Sequence, residues 1–303
     1  MIDSFAAALQ FAFMRNALLA GLLVSIACGI VGTFVVIKRI VFISGGIAHA
    51  AYGGIGLGYF VRYSVLPLLF AGNTAADSQR PGSWPLVGAV AFSLVAAVVM
   101  GLIQRRTTQR ADTIIGVLWA IGMSIGIVLV DLTQGYKADL MSYLFGSILA
   151  VQRGELWAML ALDALIIGLV ALFYKELLAI AFDEAFATVR NVPVDAIYVL
   201  LLCMIALTVV MLMRVVGLIM VIAMLTIPPA IAGQFFRDVK RAMLGATLLG
   251  TLFIVVGLWL SYRWNLTSGA TIILVAGSGY LLSLGVKALN LRPGKEELDP
   301  AST

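Results

Sequence analysis

A chain of 303 residues that is 62% hydrophobic and 12% charged lies outside the range of soluble domains, which carry about 25% charged residues. Its mean hydropathy of +1.07 is that of a protein whose solvent is lipid. The net charge of +5 does not mark a nucleic-acid binder, because the basic residues sit in short loops between apolar runs.

Taken in chain order, the sequence predicts an all-α polytopic membrane bundle. Residues 2–14 (IDSFAAALQFAFM) are apolar enough for a short interfacial helix. The first long run, 17–37, is too long for a signal-peptide core and lacks a small-residue cleavage site, so it reads as a retained span. A spanning helix needs about 20 apolar residues. Runs of that kind predict spans at 16–37, 43–61, 85–104, 113–131, 156–174, 197–213, 215–235, 242–261 and 268–287. Segment 139–152 (DLMSYLFGSILAVQ) is too short to cross and reads as a half-helix or re-entrant piece. The loop 71–84 is polar and turn-rich. The tail 291–303 is charged, Pro-containing and expected to be disordered, which leaves residues 1–290 as one transmembrane domain.

Strict alternation with Lys38-Arg39 inside puts 13 of the 20 basic residues, including every cluster, on the inner side. The outer side receives scattered singles, Arg15, Arg62, Arg80, Lys137, Arg153, Arg214 and Arg263. The expected arrangement is N-terminus out and C-terminus in. There is no G-x-x-x-x-G-K-[ST] stretch, so the chain does not bind ATP in that way, and no resident cofactor is expected. Cys28 and Cys203 lie inside apolar runs and read as small hydrophobes, neither paired nor metal-bound.

The only histidine stands in SGGIAHAAYGGIGLGYF, residues 44–60. On a helix, Gly45, Gly53 and Gly56 are its i−4, i+4 and i+7 neighbours, so its face is otherwise bare backbone. Such a stripe either seats another helix or leaves a groove in which the imidazole alone projects. His49 is accordingly either a nitrogen ligand or proton carrier on a substrate path, or a hydrogen-bonding strut between helices. Asp163 lies inside an apolar run, where a carboxylate must face the bundle interior or be neutral. Asp131 and Asp139 fall at the outer mouth. Pro228-Pro229 should strip Met224 and Leu225 of their helical donors, which predicts either a broken helix at a transport site or a kink made for packing. The 12 methionines form no cluster and read as core filler.

Six stretches, in order, carry a resemblance: MRNALLAGLLVSIACGIVGTFVVIKR (14–39), ISGGIAHAAYGGIGLG (43–58), ADTIIGVLWAIGMSIG (111–126), GYKADLMSYLFGSILAV (135–151), FDEAFATVRNVPV (182–194) and VVGLIMVIAMLTIPPAIA (215–232). Together they are similar to the metal-ion ABC importer permeases, which serve manganese, zinc and iron uptake. The resemblance implies a homodimer, two cytoplasmic ATP-binding subunits that hydrolyse the ATP, and an extracytoplasmic metal-binding protein. It implies a place for His49 on the translocation path of a divalent metal ion. The family commonly has an aspartate one turn before that histidine, where this chain has Gly45. The same resemblance makes the loop around Asp183, Glu184, Ala185, Phe186, Ala187 and Asn191 the helix that docks on the ATPase. Bond chemistry is not expected of this chain. Rival readings are a permease for metal chelates such as cobalamin or siderophores, a proton-coupled secondary transporter using His49 and Asp163, and, least favoured, an intramembrane enzyme built on Asp131 and Asp163.

Overall fold

Each long apolar run becomes a helix. In the computed structural model, which describes residues 10–66, 84–106, 111–133 and 146–290, the long helices are α1 (Ala12–Ile37), α2 (Val41–Phe60), α3 (Trp84–Arg106), α4 (Ala111–Asp131), α5 (Arg153–Leu172), α8 (Val194–Val216), α9 (Leu218–Phe235), α10 (Val239–Trp264) and α11 (Ser268–Asn290). Two short helices, α6 (Tyr174–Phe182) and α7 (Glu184–Val189), lie between α5 and α8. Among the described residues, nine helices are long and apolar enough to cross a membrane, and there is no strand.

Two expectations are corrected at the edges. Residues 12–14 are not part of a separate surface helix but the first turn of α1, because the helix runs on through Arg15 and Asn16 and Met14 is buried in the bundle, while residues 2–9 lie outside the described residues. The described part of segment 139–152 is not a half-helix. Residues 148–150 make a single 3₁₀ turn with Ile148 buried, and Asn16 Nδ2 of α1 donates to the Val151 carbonyl at 3.2 Å. Residues 139–145, nearly all of the loop 71–84 and the tail 291–303 lie outside the described residues.

Helix α2 is the most enclosed span, and its glycines are the reason. In lipid the attraction between helices comes from close packing, so small residues that let backbones approach are favoured at the contacts. Gly54 and Gly58 receive the backbone of Gly88 and Trp84 on the antiparallel α3, and Gly53 and Gly56 receive Gly122 and Gly126 on the parallel α4. A β-carbon at Gly56 would lie 2.3 Å from the Gly126 carbonyl oxygen, which no side chain tolerates.

Contacts at the helix ends sort the connections into two faces. Lys38 at the end of α1, Arg105 at the end of α3, Glu184 of α7 and Asp195 at the start of α8 meet on one face. On the other, Arg214 of α8 pairs with Glu155 of α5 at 3.3 Å, and Asn16 holds Val151. Because α4 runs parallel to α2, it ends at Asp131 on this second face, where α5 also begins. Thr133 and Gly146, the described residues on either side of 134–145, therefore lie on the same side. Gly217, the single residue between α8 and α9, has φ 83 and sits against Gly146, whose own φ is 56. A side chain at Gly146 would meet both a left-handed backbone and the main chain of Val216 and Gly217, and one at Gly217 would have to adopt a positive φ.

Candidate functional site

His49 lies half-buried in the seam between α2 and α4. Its ring stacks on Trp119, with centroids 4.0 Å apart and planes at 13°, and its Nδ1 lies 3.2 Å from Met123 Sδ. A thioether only accepts, so this geometry fits Nδ1–H donating to sulfur. That tautomer leaves the Nε2 lone pair available, and no partner meets it among the described residues. Trp119 and Met123 are four residues apart, one turn on α4, and together they fix the ring's orientation. Sequence reasoning missed both, although they stand inside ADTIIGVLWAIGMSIG with Gly122 and Gly126, a spacing that marks one helix face.

The bare stripe is not one open groove. Gly53 and Gly56 are closed by the backbone of α4, with the Phe92 ring of α3 also against Gly53. Gly45 is different: a β-carbon there would meet nothing within 4 Å. A side-chain atom could therefore be added on the α2 turn that precedes the histidine without displacing a neighbour. Among the described residues, no group of three or more His, Cys, Asp or Glu side chains could enclose a metal ion.

Asp163 does not join this seam. It is 3% exposed on α5, which packs against α1 and α8, and neither carboxylate oxygen has a hydrogen-bond partner. Asp131 is exposed at the end of α4, so the two aspartates are not brought together, and Asp139 lies outside the described residues. Helix α9 runs unbroken from Leu218 to Phe235 through Pro228 and Pro229. The missing N–H of Pro229 frees the Leu225 carbonyl, and Gly32 of α1 packs against that oxygen and the Pro229 ring. The two prolines therefore lie in a continuous helix that crosses α1 closely at Gly32.

The second cluster is α7. Asp183 caps it, its Oδ1 accepting from Phe186 N–H at 3.0 Å. At the other end Asn191 has φ 56, with Val192 N–H donating to Ala187 O and Asn191 N–H to Thr188 O, both at 3.0 Å. This is a Schellman ending, which asks for glycine or asparagine at the left-handed position. Between these stops the helix has two faces. Glu184 and Ala187 turn inward, whereas Asp183, Ala185, Phe186 and Val189 are exposed, Val189 at 81%. Glu184 accepts from Lys38 Nζ through Oε1 and from Arg105 Nη1 through Oε2 at 2.9 Å, and Lys38 also donates to the Ile180 carbonyl at 2.5 Å. Arg105 reaches Asp195 at 3.2 Å and lies 5.0 Å over the Tyr198 ring. Burial alone would raise the Glu184 carboxyl, but the hydrogen bond and charge of Lys38, then those of Arg105, hold it below its ordinary value. The inward role of Glu184 was not legible in the sequence, because Lys38 and Arg105 are remote along the chain.

Comparison with known proteins places this architecture. A model of the ABC 3 transport family matches residues 10–287. The chain is 59% identical to an uncharacterized membrane protein of Synechocystis, over 95% of each chain. It is 29% identical to the manganese transport system membrane protein of Halalkalibacterium halodurans, over 91% of this chain and 87% of that one. Among solved structures it is similar to PsaBC from Streptococcus pneumoniae in complex with Fab, with a TM-score of 0.77 and 30% identity over 94% of this chain and 95% of that one. With nine apolar helices and two short connecting ones among its described residues, and a family match over nearly its whole length, this chain belongs to the ABC 3 transport family and is a metal-ion ABC transporter permease.

Proposed function

We propose that the chain is the membrane-spanning subunit of an ATP-driven importer for a divalent metal ion of the manganese, zinc and iron class. It acts as a homodimer by alternating access, with cytoplasmic ATP-binding subunits on the α7 face and an extracytoplasmic metal-binding protein on the opposite face. The N-terminus is then outside and the C-terminus inside a prokaryotic inner membrane. The observation that carries the reading is His49: an imidazole oriented by Trp119 and Met123, with Nε2 unengaged beside the open space at Gly45. One nitrogen with a nearby thioether is a weak donor set, suited to an ion in transit rather than one held in a closed cage. Similarity to a manganese-transport membrane protein supports the ion class. The exposed Asp183, Ala185, Phe186 and Val189 are the ATPase-facing surface of α7. Gly45 borders the path, whereas Gly53, Gly56, Pro228 and Pro229 act on it through helix packing.

Uptake of radiolabelled or mass-detected manganese and zinc into vesicles carrying the complete complex tests this. His49→Ala should lower uptake at least ~10-fold, one lost metal bond or charge-assisted contact being worth about 1.4 kcal/mol or more, with unchanged membrane expression. Full uptake by that variant would remove His49 from the path.

A second reading is favoured by the room at Gly45: a bulkier metal chelate as cargo. ATPase stimulation by free metal against metal chelates in the reconstituted complex separates the two. Uptake that persists without any ATPase subunit would instead point to a proton-coupled carrier.

A further inference from the structure

The positive-inside pattern leaves cations on the opposite face that need a reason, and two of them converge. Arg15 of α1 and Arg153, the first residue of α5, flank one groove of about 640 Å³ on the side of the bundle away from α7. Both are exposed, and among the described residues neither has an ion pair. The acid near the start of α5, Glu155, is already engaged, ion-paired with Arg214 Nε at 3.3 Å and accepting from the Gln152 N–H at 3.1 Å. Asn16, also at the groove, is tied to the Val151 carbonyl and so fixes the mouth where α1 and α5 meet.

Below the two guanidiniums the groove is apolar. Leu19 and Leu22 of α1 face Leu156 and Leu160 of α5 across it, and Trp157 on its rim is 71% exposed. From Arg15 to Leu23 the lining runs over eight helical rises, roughly 12 Å of depth. That is a charged entrance at headgroup level above an apolar trough inside the span, with a tryptophan where indoles concentrate at the membrane boundary. A soluble partner protein has no use for a trough running into the hydrocarbon layer, and an inorganic anion has no use for its leucines.

We propose that this groove between α1 and α5 is a binding site for an anionic phospholipid of the leaflet opposite the α7 face. The phosphate sits between Arg15 and Arg153, and one acyl chain lies along the leucine trough. The assignment does not depend on the metal-import reading, since it rests on the charge and shape of the groove alone.

Native mass spectrometry of the purified full chain, titrated with phosphatidylglycerol and separately with phosphatidylcholine, tests the site. The wild type should retain phosphatidylglycerol over phosphatidylcholine by on the order of tenfold or more, since each basic residue near the surface contributes to anionic-lipid attraction. Arg15→Ala combined with Arg153→Ala should abolish that preference. Leu19→Trp, which fills the trough and leaves both guanidiniums in place, should lower retention of both lipids. Equal retention of the two lipids by the wild type, or an unchanged preference in the double variant, overturns the proposal. Disulfide cross-linking between copies through Trp157→Cys in membranes would also overturn it, because the groove would then be covered by a second chain.

Discussion

At the scale of single residues, His49 and Asp163 are opposites. His49 has a ring held by two neighbours and one nitrogen unspent, while Asp163 has two oxygens that nothing meets. The turn before His49 is open, so a larger side chain fits there without moving its surroundings. Gly45→Asp is therefore expected to fold normally and to put a carboxylate one turn from the imidazole. It should tighten manganese or zinc binding ~10-fold or more, a charged oxygen donor contributing about 1.5–3 kcal/mol, and slow turnover, because an ion held harder leaves more slowly. Isothermal titration and uptake measured on the same preparation check both halves. Asp163 should behave in the reverse way. A buried acceptor without a donor costs about 1–3 kcal/mol, so Asp163→Leu should raise the thermal midpoint of the purified protein. If stability rises and uptake survives, Asp163 takes no part in transport.

At the scale of elements, α7 separates two tasks that a six-residue stretch of sequence runs together. Its inward face, through Glu184, is tied to the ends of α1 and α3, and its outward face offers Phe186 and Val189. Glu184→Gln is expected to leave ATPase capture in a pull-down nearly intact but to uncouple it, with ATP hydrolysis continuing while uptake falls several-fold. Phe186→Asp should instead weaken capture itself. The reverse pattern would exchange the two faces. The lowered Glu184 carboxyl gives a pH signature as well. Its contribution is complete above the ordinary glutamate value of about 4.3 and is lost only as pH falls through its lower folded value. The α7 contact should therefore persist through mild acidification. Hydrogen exchange of α7 amides between pH 7 and 5 would reveal early loosening if the pairing were weaker than the geometry indicates.

At the scale of the whole molecule, the connections fall on two faces, with Thr188 of α7 on one and Asp131 at the end of α4 on the other. Single cysteines at these two positions, in a chain whose Cys28 and Cys203 are replaced by alanine, should react with a membrane-impermeant maleimide from opposite sides. Asp131→Cys should label in intact cells and Thr188→Cys only after permeabilisation. The opposite result would invert the proposed orientation, and labelling of both from one side would break the alternation of spans.

The sequence by itself determined the order of the nine spans found among the described residues, because hydrocarbon thickness imposes a run length that a chain must declare locally. It also determined the stops of α7, since a capping aspartate and a left-handed asparagine act within a few residues of themselves. Family membership was legible for a related reason, as six ordered fragments carry it. What only the tertiary structure decided depends on residues far apart in the chain. Whether the glycines around His49 made a groove or a seam turned on Gly122 and Gly126 of α4, and the fate of the carbonyl freed by Pro229 turned on Gly32 of α1. The partners of Glu184 and the convergence of Arg15 with Arg153 were likewise set by how helices dock. Apolar periodicity says that a helix will be buried, but in a bundle where nearly every face is apolar it carries no instruction about which neighbour will bury it.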